Sequence, residues 1–530
     1  MNMHTSNKND VNILDLPEEV LLIIFSKLHM IETLYSLVDV DQRFDRLVLD
    51  PCYVRHLDLT IPPLLDHNSP VNNQIFDRIR TKILPQIYHN VTKLTIEPRS
   101  MKCILNAIDY PVLTSLSLVN FQSETLFQHL TGDNILPHLF TNQITRLEVR
   151  IRDRERGVPG GSELNIVSFI LSIGKCLTDL TFGLRWIDEC MEFSFFELPS
   201  TTFVSSSLTK LVITLYTFDD CLYLLDGRLK HLSILSIDIV KIRRASSNID
   251  NTKSLPELKC FSLTSRWYTC CYDNRIVPLL RRMLNLEELT LFLSVIRNES
   301  TYINGTQLYN DFLMYMPQLS KFNFSIHTDI FNNDIDIDLP SNNNILNSFI
   351  KIGYQQVNSY ADDQLTYKNW GCCHVYSLPY HFNDFLFMTS RFQGGLFTKV
   401  RWLLMHDIRP FENELFKIIS QDFPFLESLS IINRESQKNK QHSSTFIKFP
   451  HLLRLDLTVA HTTYAIQFLF DKNTSLPRLM HLDIKYKTLA TVTEGFTNDA
   501  ARHTCAQIES LVIPELFVRP ENFFSYFPLL

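Results

Sequence analysis

From Val91 onward, hydrophobic positions return in a short phrase close to LxxLxL. It reads VTKLTIE at 91, LTSLSLV at 113, ITRLEVRI at 144, LTDLTF at 177, LTKLVITL at 208 and LSILSIDI at 232. It continues as LKCFSLTS at 258, LEELTLFL at 286, LSKFNFSI at 319, VRWLLMHD at 400, LESLSII at 426, LLRLDLTV at 452, LMHLDIKY at 479 and IESLVIP at 508. Within a copy, Leu147 with Val149 or Leu289 with Leu291 share one face of a short strand, and the residues between them point the other way. Segments of helical spacing separate the strands: LNIVSFILSIGKCL from 164, IVPLLRRML from 276, YNDFLMYMP from 309 and ENELFKIISQDFP from 412.

Steps between central hydrophobes run from about 22 to 33 residues between Leu94 and Phe322, and from about 26 to 29 between Leu403 and Leu511. Phe322 to Leu403 is about 81 residues, room for three steps, and LNSFIKIGY at 346 and HVYSLPYHF at 374 are placed to supply strands there. The mean of about 28 lies in the ~20–29 residue range of leucine-rich repeats. A strand-helix unit this small buries its apolar face only by stacking on its neighbours. The expected fold class is therefore α/β: a leucine-rich-repeat-like solenoid over residues 56–530, with about 15 to 17 repeats, parallel strands concave and helices outside. A conventional α/β domain also alternates strands and helices, but it needs no recurrent phrase. The Asn or Cys that usually follows the strand motif in such repeats is mostly missing here.

The first fifty residues have another rhythm. After a polar stretch, 1–12, expected to be a disordered tail, LDLPEEVLLIIFSKL begins at Leu14. Asp15 is placed to cap a helix whose first turn carries Pro17, Glu18 and Glu19, favourable at the positive helix end. The VLLIIFSKL that follows is apolar on nearly all sides, more than a single core face absorbs. Two further helices are expected in IETLYSLVDV and DQRFDRLVLD.

Residues 13–55 resemble an F-box. The residues that carry the likeness are Leu16-Pro17-Glu18-Glu19, Ile24-Phe25, Leu28, Leu34, Leu37, and Val40 followed by Gln42-Arg43-Phe44. The chain departs from the family at Asp41, where Cys is common, at Phe44, where Trp is common, and at Pro51-Cys52-Tyr53, in place of a closing Leu-Trp. The resemblance implies docking on the small Skp-family adaptor of a cullin-RING ligase, with Leu16, Pro17, Ile24, Phe25, Leu28, Leu34, Leu37, Val40 and Phe44 forming or supporting the surface. The competing reading is that three helices merely cap the first repeat.

Composition narrows the chemistry. A net charge of -7 gives no basic footprint for nucleic acid or anionic lipid. Only 13 glycines occur, and no GxGxxG, GxxxxGK[ST] or GxSxG appears. The one Gly-rich spot, RDRERGVPGGSE around Gly157, reads as a surface loop. Eleven cysteines without a CxxC read as reduced, buried thiols, and 17 dispersed histidines without HExxH suggest no metal site. No apolar run approaches the ~20 residues of a membrane helix, and no signal sequence opens the chain. An intracellular protein, cytoplasmic or nuclear, is expected, so the sequon at Asn298 is read as unused.

These readings converge on a non-enzymatic, cofactor-free substrate-recognition subunit of an SCF-type ubiquitin ligase. The alternative is a scaffolding protein whose F-box serves a ligase-independent assembly. Substrate is expected on the strand face opposite the leucines, at polar positions including Asp238, Asp456 and Asp483, with Trp186, Trp267, Tyr268, His406 and Tyr486 as aromatic anchors.

Overall fold

A computed structural model describes residues 13–61, 71–105, 108–132, 135–151, 162–184, 204–244, 253–298, 300–331, 338–365, 370–438 and 446–530. Residues 1–12, expected as a tail, the stretch around Gly157, expected as a loop, Trp186 and the sequon residue Glu299 lie outside the described residues. The fold is mixed α/β with largely parallel strands and many helices. It divides into two compact units, Met1–Leu263 with Pro278–Glu287, and Thr264–Val277 with Glu288–Leu530. All fourteen phrases form strands.

The first unit opens with four helices, α1 (Glu18–Phe25), α2 (Met30–Leu37), α3 (Gln42–Val48) and α4 (Pro51–Val54). Asp15 lies in a separate 3₁₀ turn, Ile13–Asp15, and Pro17, not Asp15, occupies the N-cap position of α1. Leu21, Phe25, Ile31, Leu34, Val38, Phe44 and Val48 build the core of this region, with Phe25 and Phe44 meeting edge to face at 5.6 Å. The Asp58 amide donates to the Met30 sulfur at 3.2 Å, which ties α2 to the first strand.

Seven strands follow: β1 (His56–Asp58), β2 (Lys93–Ile96), β3 (Ser115–Phe121), β4 (Arg146–Ile151), β5 (Asp179–Leu184), β6 (Lys210–Thr217) and β7 (Ile234–Lys241). Each pairs in parallel with the next, and the register aligns Leu57, Leu94, Leu116, Leu147, Leu180, Leu211 and Leu235. All seven leucines are at most 2% exposed, so one spine of methyl groups runs through the unit. Beside it runs a hydroxyl ladder. Thr92 donates to the Arg55 carbonyl, Thr114 to Thr92, Thr145 to Thr114, Thr178 to Thr145, Thr209 to Thr178 and Ser233 to Thr209, at 3.0 to 3.5 Å. Those carbonyls also accept two backbone N–H groups from the next strand's entry, as Thr114 does from Thr145 and Arg146 at 2.9 and 3.1 Å. The Thr in LTxL thus locks each strand to the one before it. β1, in HLDL, is a rung that the motif count overlooks.

β8 (Cys260–Thr269) starts in the first unit and ends in the second. In the second unit β9 (Glu288–Arg297) and β10 (Lys321–Phe331) pair in parallel, with Leu289 opposite Phe322. The interval after Phe322 departs from the periodic expectation. LNSFIKIGY belongs mostly to a helix, Asn342–Lys351, because Ser341 caps it, accepting from the Asn344 amide, and Ile345 and Phe349 recur one turn apart toward the core. HVYSLPYHF does contribute a strand, β12 (Trp370–Ser377), but it runs antiparallel to both β10 and β11 (Val357–Ala361). Of the two rungs expected in this interval, one is therefore a helix and the other a strand in antiparallel pairing.

A second sheet restores the parallel ladder: β13 (Asp384–Met388), β14 (Trp402–His406), β15 (Ser428–Asn433), β17 (Arg454–Ala460), β19 (His481–Asp483) and β20 (Ser510–Val512). Phe385, Leu403, Leu429, Leu455, Leu482 and Leu511 align across it. Two short strands, β16 (Ile447–Lys448) and β18 (Thr474–Ser475), pair beside it. Here the residues preceding the strands are Arg401, Glu427, Leu453 and Met480, whose carbonyls keep the paired N–H contacts without a hydroxyl ladder. The ten described cysteines are free, and Cys52, Cys176 and Cys270 are exposed, so the reading of uniformly buried thiols fails at those three.

Candidate functional site

Helix α1 has two apolar faces. Leu21 and Phe25, four residues apart, point inward at 0% and 1% exposure. Val20 and Ile23 lie outward at 38% and 60% exposure, with Ile24 half-buried beside them. Ile13, Leu22, Leu28 and Val40 are exposed as well, Val40 at 63%. Of the residues implied by the sequence resemblance, Pro17, Leu28 and Val40 are exposed, and Leu16, Ile24 and Leu37 half-buried. Phe25, Leu34 and Phe44 are core residues that support the surface from beneath. Ile13, Val20, Leu22 and Ile23 were not among the docking residues that the resemblance implies. The helical period alone marks Val20 and Ile23 as sharing a face with Ile24.

The segment leading into α1 is held by Arg43. Its guanidinium donates from one nitrogen to the Leu14 carbonyl and from the other to the Leu16 carbonyl, the latter at 2.6 Å, and Nε lies 3.8 Å from Glu18. Asp41, the family departure, caps α3 by accepting from the Arg43 amide at 2.8 Å. Asp39, at φ 66°, donates its amide to Asp45 at 2.8 Å and shapes the bend before it.

The expected substrate set is dispersed. Asp238 lies half-buried on β7 in the first unit. In the second unit Trp267 stays exposed at 43%. Tyr268 and His406 are not free anchors. Tyr268 packs on Phe387 at 4.4 Å and on His327 at 6.0 Å, against a small apolar core of Phe292, Leu386 and Phe387, and His406 packs on Trp370 at 5.9 Å. Burial pushes the Tyr268 phenol well up, with Asp329 adding to it, and pulls the His406 imidazole down. Asp483 is also withdrawn. It is 6% exposed and takes two hydrogen bonds from Arg454, at 2.9 and 2.6 Å. Burial raises its carboxyl even against that arginine. Asp456 accepts from the amide and hydroxyl of Thr458, and Tyr486 stacks on Phe517 at 5.0 Å.

Sequence reasoning also missed a buried polar cluster in the second unit. The β10–β12 register sets His327 opposite His374, with the rings 5.7 Å apart. His327 Nε2 meets Asp329 at 2.9 Å, whereas His374 meets the Ser325 hydroxyl through Nε2 at 2.9 Å and the Tyr360 hydroxyl through Nδ1 at 3.1 Å. Tyr380 completes the chain, 3.1 Å from Ser325 and donating to the Asp384 carbonyl at 2.7 Å. Burial, then His327, pulls the His374 imidazole well below its ordinary value. Ser325 and His374 have the spacing of a nucleophile and its base, but they are 2% and 1% exposed, and hydroxyls rather than a carboxylate flank the imidazole. The arrangement packs β10 against β12 and offers a substrate no approach.

Among the described residues no group of three or more His, Cys, Asp or Glu side chains could hold a metal ion. No described helix is long and apolar enough to cross a membrane. No protein-family model matches the chain, and no curated protein sequence matches it.

Proposed function

We propose that the chain is the substrate-recognition subunit of an SCF-type cullin-RING ubiquitin ligase. In this reading α1 to α3 are an F-box that docks a Skp-family adaptor. The parallel strands beyond are a leucine-rich-repeat-like solenoid that holds a protein substrate, and transfer chemistry belongs to other subunits. The observation that carries the reading is the doubled apolar character of α1. Leu21 and Phe25 satisfy the local core, yet Val20, Ile23, Leu28 and Val40 remain in solvent at 38% exposure or more. Capping the first strand needs the inner face alone. A second apolar face on a short exposed helix is the composition of an interface core.

Among the described aromatic residues expected to meet substrate, Trp267 is the one whose exposure suits an anchor, and it heads the substrate side of the proposal. The test compares partners captured by the full chain with those captured by a version lacking residues 1–55. The proposal expects the adaptor and cullin only with the full chain and a shared set of other proteins with both. Capture of a stable partner set without any adaptor would support a scaffolding role instead.

A further inference from the structure

We infer that Arg43 is a positioning residue for docking, a pin that presets the Leu16-Pro17 entry for a partner; this rests on the docking reading above. Pro17 has no N–H, and the N-cap position it fills carries no side-chain hydrogen bond. Local backbone bonds lead the chain into α1: the Leu16 amide donates to the Ile13 carbonyl at 3.3 Å, and the Val20 and Leu21 amides both donate to the Pro17 carbonyl at 3.1 Å. Pro17 is exposed and Leu16 half-buried, so packing alone restrains them little.

Arg43 adds a restraint from across the sequence. Its planar fork spans two carbonyls two residues apart, those of Leu14 and Leu16, as a single bidentate clamp. The carbonyls it holds flank the apolar side chains offered to a partner, so its contacts fix backbone direction while leaving those side chains free. The pin is itself held. Asp41 caps α3 on the Arg43 amide, Phe44 next to it is wedged against Phe25, and Glu18 faces the guanidinium edge. Asp41, where the resembling family commonly has Cys, thus gains a role as the cap that sets the clamp. A segment ordered before binding loses less freedom on binding, and a clamp of this kind acts on affinity without touching the partner.

The test uses the full chain with Arg43→Met and Arg43→Lys, a purified Skp-family adaptor as probe, and hydrogen exchange of backbone amides. In Arg43→Met, the amides from Leu16 to Leu21 should exchange faster while those of α2 and α3 stay protected, and adaptor affinity should fall about tenfold. Arg43→Lys keeps the charge but loses the fork, and should fall about threefold. If Arg43→Met also loosens α2 and α3, the lysine variant decides. Unchanged exchange over Leu16 to Leu21, or faster exchange with unchanged affinity, overturns the inference. If the wild-type chain itself does not bind adaptor, the docking reading fails, and the role in docking inferred for Arg43 fails with it; the exchange result still shows separately whether the clamp orders the entry.

Discussion

Acid should loosen the second unit through His374. The imidazole is 1% exposed, burial and the facing His327 hold its folded value well below the ordinary one, and the unfolded chain titrates near the usual ~6.5. A folded value that is depressed means the unfolded state binds more protons below ~6.5, so stability is full above that pH and lost as pH falls. While the folded imidazole stays neutral, the loss is about 1 kcal/mol between pH 6.5 and 5.5 and about 1.3 kcal/mol in the next unit down. Groups facing it include His327 with Asp329 on β10, and Tyr360 and Tyr376 beside it. His406 on β14, also depressed by burial, adds a smaller loss of the same sign. The raised carboxyls of Asp483, Asp422 and Asp311 act with the opposite sign at lower pH. Urea unfolding from pH 7.5 to 4.5, for wild type and His374→Phe, isolates the term. The variant loses hydrogen bonds and starts less stable, but its slope between pH 6.5 and 4.5 should be shallower by about 1 kcal/mol per unit. Parallel slopes would refute the assignment of the imidazole as neutral.

Leu455→Ala should cost about 2 to 5 kcal/mol in thermal or urea unfolding, because Leu455 is fully buried in register between Leu429 and Leu482. Thr145→Val keeps shape and removes one rung of the hydroxyl ladder, so denaturant midpoints should show a loss of about 0.5 to 1.5 kcal/mol. The charge reversal Asp456→Lys should leave folding within about 0.5 kcal/mol, whereas Asp483→Lys should destabilise by several-fold more, since it meets Arg454 in a buried site.

Much of the ladder was legible in the sequence because LxxLxL writes the strand period directly, and every copy became a strand, its central Leu or Phe buried in all but the last, where Leu511 is half-buried. The Thr preceding the second Leu was equally visible, yet its partner is a carbonyl about 30 residues away, and spacing alone does not reveal that bond. The interval after Phe322 was misread because Ile345 and Phe349 fit either period, and the Ser341 cap, not the hydrophobes, decides for helix. Tyr268 and His406 looked like surface anchors because strand alternation places them opposite the leucines. What covers that face, Phe387 on β13, comes from residues about 120 positions later in the chain than Tyr268. On α1 the doubled apolar face was readable, while the division into Leu21 and Phe25 inward and Val20 and Ile23 outward needed the position of Phe44.

The most direct measurement is the equilibrium affinity of the purified full chain for a Skp-family adaptor, set beside the double variant Ile23→Asp with Val40→Asp. Both side chains are at least 60% exposed, so the variant should keep the wild-type unfolding midpoint within about 0.5 kcal/mol. The account predicts tight wild-type binding and a loss of at least about a hundredfold in the variant, as expected for charges placed in an interface core. Wild-type binding that the variant retains, or no wild-type binding at all, would contradict it.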